Sequence, residues 1–234
     1  MALYVSPEHS LQDRKGQGIE NLIRKADNIL YRERLLGSWS RCDNVVETIR
    51  DALETKDFMT MERSDMLKAQ AVSLAVAAAR TDLDFTALEL LVEFHDVGNI
   101  GVDDAALFKL GMLDDREMAT VRKHAEIGWR IARSIPDLLG VSDLILKHHE
   151  WWDGSGYPLG LAGADIPLAC RIWAVIDAYD VMTEGRPYRA AIGAKTALRE
   201  LQRQAGVQFE PELVEAFSVM MAEKNALTTP LLPV

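Results

Sequence analysis

The sequence describes an acidic chain of 234 residues with the composition of a globular protein. Apolar residues make up 48% and charged residues 26%, which excludes the disordered and fibrous classes. Because a domain typically holds roughly 100–200 residues, we expect one sizeable domain with a short appendage. The formal net charge of −10 argues against binding to nucleic acid polymers, which depends on Lys and Arg. A small phosphate ligand is still compatible with this charge, because a local pocket can oppose it.

The compartment is predicted from three features that the sequence lacks. Cys42 and Cys170 do not form a metal-binding or disulfide spacing, so a reducing cytoplasm is expected. The opening residues contain no apolar segment of signal-peptide length. No stretch reaches the roughly 18 apolar residues needed to cross a bilayer. We therefore expect a soluble, cytoplasmic protein with no membrane partner.

Helical periodicity dominates the chain. Fifteen glycines and eight prolines are few, which disfavours an all-β fold with many turns. Apolar residues recur at helical spacing instead, so an all-α protein is predicted. The predicted helices, in chain order, cover 19–37, 44–56, 62–80, a segment from Asp84, a segment capped by Asp114 and Glu117 that continues through Ala132, 138–148, 169–183, 194–204 and 211–223.

The predicted elements divide the chain into an N-terminal extension (1–42), a helical domain (43–223) and a loose C-terminal tail (224–234). The extension contains one amphipathic helix. Its segment 21–37, NLIRKADNILYRERLLG, resembles the last helix of a GGDEF (diguanylate cyclase) domain, of which no other part is present. An ordinary amphipathic helix is the alternative. In either case we expect its apolar stripe to dock on the helical domain or on a second chain, because an exposed stripe favours association.

Histidines and aspartates on several predicted helices point to a metal centre. An unpaired imidazole or carboxylate on an apolar helix face is costly unless it is hydrogen-bonded or ligates a metal. Separately hydrogen-bonded core histidines are the alternative, but helical bundles build metal centres from inward side chains on facing helices. Imidazole and carboxylate ligands suit Fe or Mn, with Zn or Ni as further possibilities. The candidate ligands are His95, Asp96, His124, His148, His149 and Asp177.

Four motifs together resemble the HD-GYP phosphodiesterases. They are HDVGNIGV (95–102), HAEIG (124–128), HHEWWDGSGYPLGL (148–161) and DAYDVMTEGRPYR (177–189). The resemblance implies an HD-type helical bundle with a bi- or trinuclear iron or manganese centre. We expect this chain to hold one or two ions. It also implies hydrolysis of cyclic di-GMP to pGpG or GMP by a metal-bound hydroxide. By the same resemblance the six candidate ligands hold the metal, the catalytic pair is His95 and Asp96, and Asp96 bridges the ions.

Three positions depart from the family pattern. Arg63 stands where the family has a further metal-ligating His, and Met59 stands where some members have a Glu ligand. An arginine cannot ligate a cation and would repel it, although it could also serve as a substitute cation. Asn99 replaces the Lys of the family's HDxGK motif and so removes a positive charge from the phosphate side. We therefore expect weakened hydrolysis.

Substrate binding is assigned by the resemblance to basic residues and to one loop. Arginines can donate paired hydrogen bonds to phosphate oxygens, although solvated surface arginines are the alternative for an RPYR segment. The glycines of the GYP loop allow a close backbone approach. The predicted substrate-binding residues are Lys109, Arg186, Arg189, Asp153, Gly156, Tyr157 and Pro158.

The sequence is compatible with three functional hypotheses. The first is a metal-dependent cyclic di-GMP phosphodiesterase of low activity. The second is a degenerate module that binds metal, cyclic di-GMP or a GGDEF partner without turnover. The third is a phosphohydrolase acting on another nucleotide, since one fold can host several such chemistries.

Overall fold

The computed structural model describes residues 42–54, 56, 60–80, 82–109, 111–184 and 190–228. The predicted helix at 19–37, Met59, Arg186 and Arg189 lie outside these residues. The described residues contain helices and connecting loops but no β-strand, which confirms the all-α prediction.

The helices are named here in chain order. The α-helices are α1 (Cys42–Glu54), α2 (Met61–Ala77), α3 (Phe85–Phe94), α4 (Asp104–Leu107), α5 (Asp115–Arg122), α6 (His124–Arg133), α7 (Ser142–Lys147), α8 (Leu168–Glu184), α9 (Ala194–Arg203) and α10 (Pro211–Thr228). Short 3-10 helices cover Val97–Gly101, Pro136–Val141 and Gly163–Asp165. The predicted helices that correspond to α1, α2, α3, α8, α9 and α10 are confirmed, with differences at their ends.

The predicted cap at Asp114 is confirmed, but the prediction of a single helix through Ala132 is wrong. The Asp114 carboxylate accepts hydrogen bonds from the backbone N–H groups at the start of α5, and Glu117 bonds back to the N–H of Asp114. The helix then ends at Arg122, and Lys123 donates its N–H to the Thr120 carbonyl at 3.3 Å. This tight turn redirects the chain, so that His124 becomes the first residue of α6.

The predicted helix at 138–148 is also interrupted. The chain forms a 3-10 helix (Pro136–Val141) before α7, and α7 ends at Lys147. Pro136 has no N–H group and therefore suits the first turn of such a segment. His148 consequently follows the helix as its C-cap instead of lying within it.

The core is formed by α2, α3 and α8, which pack on one another, with α9 and α10 against α8. Its largest fully buried side chains include Trp173, Phe94 and Phe217. A second layer forms where α6 packs on α7 and on the 3-10 helix Val97–Gly101. No helix in the described ranges is long and apolar enough to cross a membrane.

Gly98 permits the close contact between the 3-10 helix Val97–Gly101 and α6. A Cβ atom at this position would lie 1.8 Å from the carbonyl oxygen of His124 and 2.7 Å from the backbone nitrogen of Gly128. Both obstacles are backbone atoms that cannot rotate away. A glycine is therefore required where the HD motif meets the helix that presents His124.

A buried carboxylate, Glu210, joins three helices of the core. Glu210 is 4% exposed and accepts hydrogen bonds from Arg171 at 2.6 Å and from Arg80 at 2.9 Å. Arg171 lies on α8, Arg80 follows α2, and Glu210 directly precedes α10. The sequence pattern did not indicate this cluster, because its members are separated by many residues.

The Glu210→Gln variant is expected to lower the free energy of unfolding by about 2–3 kcal/mol, because it leaves the guanidinium group of Arg171 without its anion and removes one of the two carboxylates that bind Arg80. Urea denaturation measures this loss. Glu212→Gln is the matched control, since Glu212 also contacts Arg80 but its side chain is 76% exposed. We expect this control to lose less than about 1 kcal/mol. Equal losses of unfolding free energy in the two variants would show that the burial of Glu210 does not strengthen its ion pairs.

Candidate metal centre

Four side chains converge between the 3-10 helix Val97–Gly101, α6 and the end of α7. Each of Asp96, His124, His148 and His149 offers a ligand atom, and these atoms all lie within 4.8 Å of one another. Asp96 directly precedes the 3-10 helix, His124 begins α6, and the two adjacent histidines follow α7. These four predicted ligands therefore lie at the ends of helices, and the ends bring their side chains together.

The distances within this group are those of side chains that face one another. The Oδ1 atom of Asp96 lies 3.3 Å from Nε2 of His124. The Nε2 atom of His124 is also 3.3 Å from Nε2 of His148. The second oxygen of Asp96 faces another ring, with 3.6 Å between Oδ2 and Nε2 of His95. Asp96 therefore lies between two imidazoles, as a bridging carboxylate would.

Hydrogen bonds to the backbone fix the orientation of three of these rings. The Nδ1 atoms of His95, His124 and His148 lie 3.0, 2.8 and 2.6 Å from the carbonyl oxygen three residues earlier. A carbonyl oxygen only accepts, so each Nδ1 carries the hydrogen. In the neutral ring Nε2 then holds the free lone pair, and it is Nε2 that faces the centre.

Burial keeps the paired histidines neutral. Burial, and then the nearby His124 ring, lower the pKa of His148 well below its usual value. Burial, and then His148, do the same to the pKa of His149. The Nε2 atoms of His124 and His148 lie 3.3 Å apart, a separation at which both nitrogens can bind the same cation. The group of nitrogen and carboxylate donors therefore fits a divalent metal ion.

The two remaining predicted ligands are His95 and Asp177. His95 is buried, and its ring packs 4.7 Å from the ring of Trp173 on α8. Asp177 lies on the same helix, one turn after Trp173. Neither belongs to the group of four. Their roles as ligands therefore stay predictions.

Arg63 binds two carboxylates of α8 at the start of α2. Its Nε donates to Oδ2 of Asp180 at 3.1 Å, and a second nitrogen of the same guanidinium bonds the other oxygen of Asp180. A third nitrogen lies 3.0 Å from Glu184. Asp180 is 5% exposed, so the guanidinium neutralises a buried charge. The sequence identified Arg63 as unusual but did not identify its partners.

Two further predicted positions have local roles in the structure. The Nζ atom of Lys109 lies 2.7 and 2.6 Å from the two oxygens of Glu117, which neutralises its charge. Asn99 is buried within the 3-10 helix that follows Asp96. Substrate binding by Lys109 stays a prediction.

The GYP loop folds back onto the histidine pair. The N–H of Tyr157 donates to the His149 carbonyl at 3.1 Å, and the Tyr157 ring lies 4.8 Å from the His149 ring. A Cβ at Gly156 would lie 2.2 Å from the backbone nitrogen of Trp151, so only glycine fits there. Pro158 follows through a cis peptide bond. Burial, and then the negative charge of Asp96, raise the pKa of Tyr157, which keeps its hydroxyl protonated.

Glu150 holds this loop in place, and sequence reasoning missed it. Its buried carboxylate accepts the N–H groups of Leu159 at 2.6 Å and Leu161 at 2.9 Å. The available signal was an acidic residue beside a glycine-rich loop, which needs acceptors for its free N–H groups. Asp153 is exposed and accepts hydrogen bonds from the backbone and hydroxyl of Ser155, so it stabilises a turn of the same loop.

Comparison with known proteins agrees with this architecture. The family described as "HD domain" matches residues 47–213. A cyclic di-GMP phosphodiesterase of Thermotoga maritima is 34% identical over 175 residues, which cover 74% of this chain and 48% of that protein. A 3'3'-cGAMP-specific phosphodiesterase of Vibrio cholerae is 43% identical over 123 residues, covering 52% of this chain and 24% of that protein.

A solved structure gives the same fold. An HDG"Y"P protein from Bdellovibrio bacteriovorus superposes with a TM-score of 0.55 at 14% identity, covering 92% of this chain and 76% of the other. The present chain spans about half the length or less of the curated relatives it matches. The family match, the relatives and the motifs together confirm that the chain belongs to the HD domain family, in its HD-GYP group.

Proposed function

We propose that this chain is a metal-dependent phosphodiesterase that hydrolyses cyclic di-GMP to pGpG or GMP. The observation that carries the proposal is the convergence of Asp96, His124, His148 and His149, whose ligand atoms lie within 4.8 Å of one another. Similarity to phosphodiesterases that act on cyclic di-GMP and on 3'3'-cGAMP supports the class of substrate. The sequence departures at Arg63 and Asn99 support a slow enzyme.

The side chains of the centre have separable roles in this proposal. A bound divalent ion supplies Lewis-acid activation of the phosphodiester and of the attacking water. The Nε2 atoms of His124 and His148 and the carboxylate of Asp96 would hold that ion. Nitrogen and carboxylate donors favour Fe or Mn, which we propose as the natural metals. The half-buried Tyr157, whose ring lies beside that of His149, keeps its hydroxyl protonated and can donate a hydrogen bond to the anionic substrate.

The Arg63 contacts favour one second candidate, a binding module without turnover. The guanidinium bonds Asp180 and Glu184 on α8, so these carboxylates are neutralised without a metal ion. A second ion would then depend on His95, Asp96 and Asp177, a smaller set of ligands. In this case the chain would bind metal, cyclic di-GMP or a GGDEF-domain partner and release no product.

Two further proposals concern compartment and assembly. The free, buried Cys170 is compatible with a reducing cytoplasm. A GGDEF partner and a homodimer are proposed from the N-terminal extension, which lies outside the described residues.

The direct test is reconstitution of the purified full chain with Fe²⁺ or Mn²⁺ under anaerobic conditions. We expect at least one metal ion per chain by elemental analysis and a higher melting temperature on metal addition, because a ligand that binds only the folded state stabilises it. Incubation with cyclic di-GMP is expected to yield pGpG or GMP slowly, as resolved by chromatography. A chelator should stop product formation.

Three results discriminate between the candidates. A chain that binds no metal and shows no thermal shift contradicts the metal centre. A chain that loads metal and binds cyclic di-GMP without product is the binding module. Hydrolysis of another nucleotide in preference to cyclic di-GMP would favour the third hypothesis, a phosphohydrolase that acts on a different nucleotide.

A further inference from the structure

An arginine that the motif comparison did not single out lies beside the GYP loop. Arg122 is the last residue of α5, two positions before His124. Its side chain is exposed, and its Cζ atom lies 5.0 Å from the centre of the Tyr157 ring. That ring in turn lies 4.8 Å from the ring of His149. Arg122 is therefore separated from the candidate metal ligands by a single aromatic ring.

The charge of Arg122 is available, unlike that of two other cations that the sequence analysis singled out. Arg63 is bound to Asp180 and Glu184, and Lys109 is bound to both oxygens of Glu117. Across the described ranges, no carboxylate lies within ion-pair distance of Arg122. A contact with an aromatic ring is attractive for a guanidinium but uses none of its five N–H donors.

We propose that Arg122 binds the phosphate of a cyclic dinucleotide that is not being cleaved. A cyclic dinucleotide carries two phosphodiesters, of which only one can be at the metal centre. The second needs a cation at a short distance from the centre, on a protein whose net charge is −10. Arg122 has this position, and its donors match phosphate oxygens. The inference rests on the proposed function, because it takes the substrate class from it.

The test measures the affinity of metal-loaded chains for cyclic di-GMP by calorimetry, comparing wild type with Arg122→Ala and Arg122→Lys. We expect Arg122→Ala to raise Kd about 10- to 100-fold, as for loss of a charge-assisted hydrogen bond. Arg122→Lys should recover part of this loss, because it keeps the charge but not the planar fork. Arg130→Ala is the matched control, since Arg130 is exposed on α6 and should leave Kd within twofold of wild type.

Further measurements distinguish a role of Arg122 in substrate binding from a role in maintaining the metal centre. Metal content should be unchanged in Arg122→Ala, and the dependence of Kd on salt should weaken. Where product forms, KM should rise with kcat unchanged, as expected when binding is lost equally from ground state and transition state.

Three results would contradict the inference about Arg122, and they differ in what they imply for the proposed function. If wild type binds cyclic di-GMP and Arg122→Ala binds it equally well, the inference is wrong and the proposed function stands. If Arg122→Ala loses metal, or loses kcat at constant Kd, Arg122 serves the centre and the inference is wrong. If wild type binds no cyclic dinucleotide, the proposed substrate fails and this inference fails with it.

Discussion

The Asp96→Asn variant is expected to lose metal and all measurable hydrolysis. Asp96 is the carboxylate of the group of four, with Oδ1 3.3 Å from Nε2 of His124 and Oδ2 3.6 Å from Nε2 of His95. An amide keeps the shape of the side chain but removes its negative charge, which is the main attraction for a cation. We expect the turnover rate to fall by at least about 10²–10³-fold.

Elemental analysis after dialysis and chromatography of the products measure the two losses in Asp96→Asn. Asp137→Asn is the control, because Asp137 is exposed in the 3-10 helix Pro136–Val141 and the change in charge is the same. Unchanged melting of the metal-free proteins would show that the fold is intact. An Asp96→Asn protein with full metal content and normal turnover would contradict the assignment of this centre.

The double variant Arg63→His with Asn99→Lys is expected to raise hydrolysis at least about tenfold. Replacement of Arg63 removes the cation that neutralises buried Asp180 and adds an imidazole beside α8. A buried carboxylate without a partner is costly, so this change favours uptake of a further metal ion. Lysine at position 99 restores a positive charge next to the HD motif.

The matched control for this gain is Arg63→Gln with Asn99→Lys, which removes the same cation but supplies no strong ligand. We expect metals per chain, measured by elemental analysis, to rise in the His variant and not in the Gln variant. Brisk hydrolysis by the unaltered chain would show that Arg63 and Asn99 are tolerated. A His variant that loads two metals and forms no product would favour the binding module.

The parts of the fold that depend on local sequence were predictable. The cap at Asp114 follows from an acceptor side chain with a Glu three residues later, and the structure forms both of its hydrogen bonds. The six predicted helices that are confirmed have apolar residues at helical spacing, which local periodicity is sufficient to detect. The histidines of the centre were found by their motifs.

The parts that depend on tertiary contacts were not predictable. The break between α5 and α6 occurs at Lys123, in a segment without Gly or Pro, so no local signal marks it. The partner of Arg63 lies 117 residues away in sequence. The sequence showed Glu150 only as an acidic residue directly after His148 and His149. Its role depends on the path of the loop that returns to it.

The hydrogen bonds from the histidine Nδ1 atoms to the backbone have a consequence for metal affinity. His95, His124 and His148 are each oriented by a carbonyl of the preceding turn, so their rings lose rotational freedom when the helices form. Immobilising a flexible side chain costs about 0.5–1.5 kcal/mol. For three rings this entropy, about 1.5–4.5 kcal/mol, is lost during folding and not when the ion arrives. An ion that enters the folded chain would therefore meet ligands whose ordering is already complete.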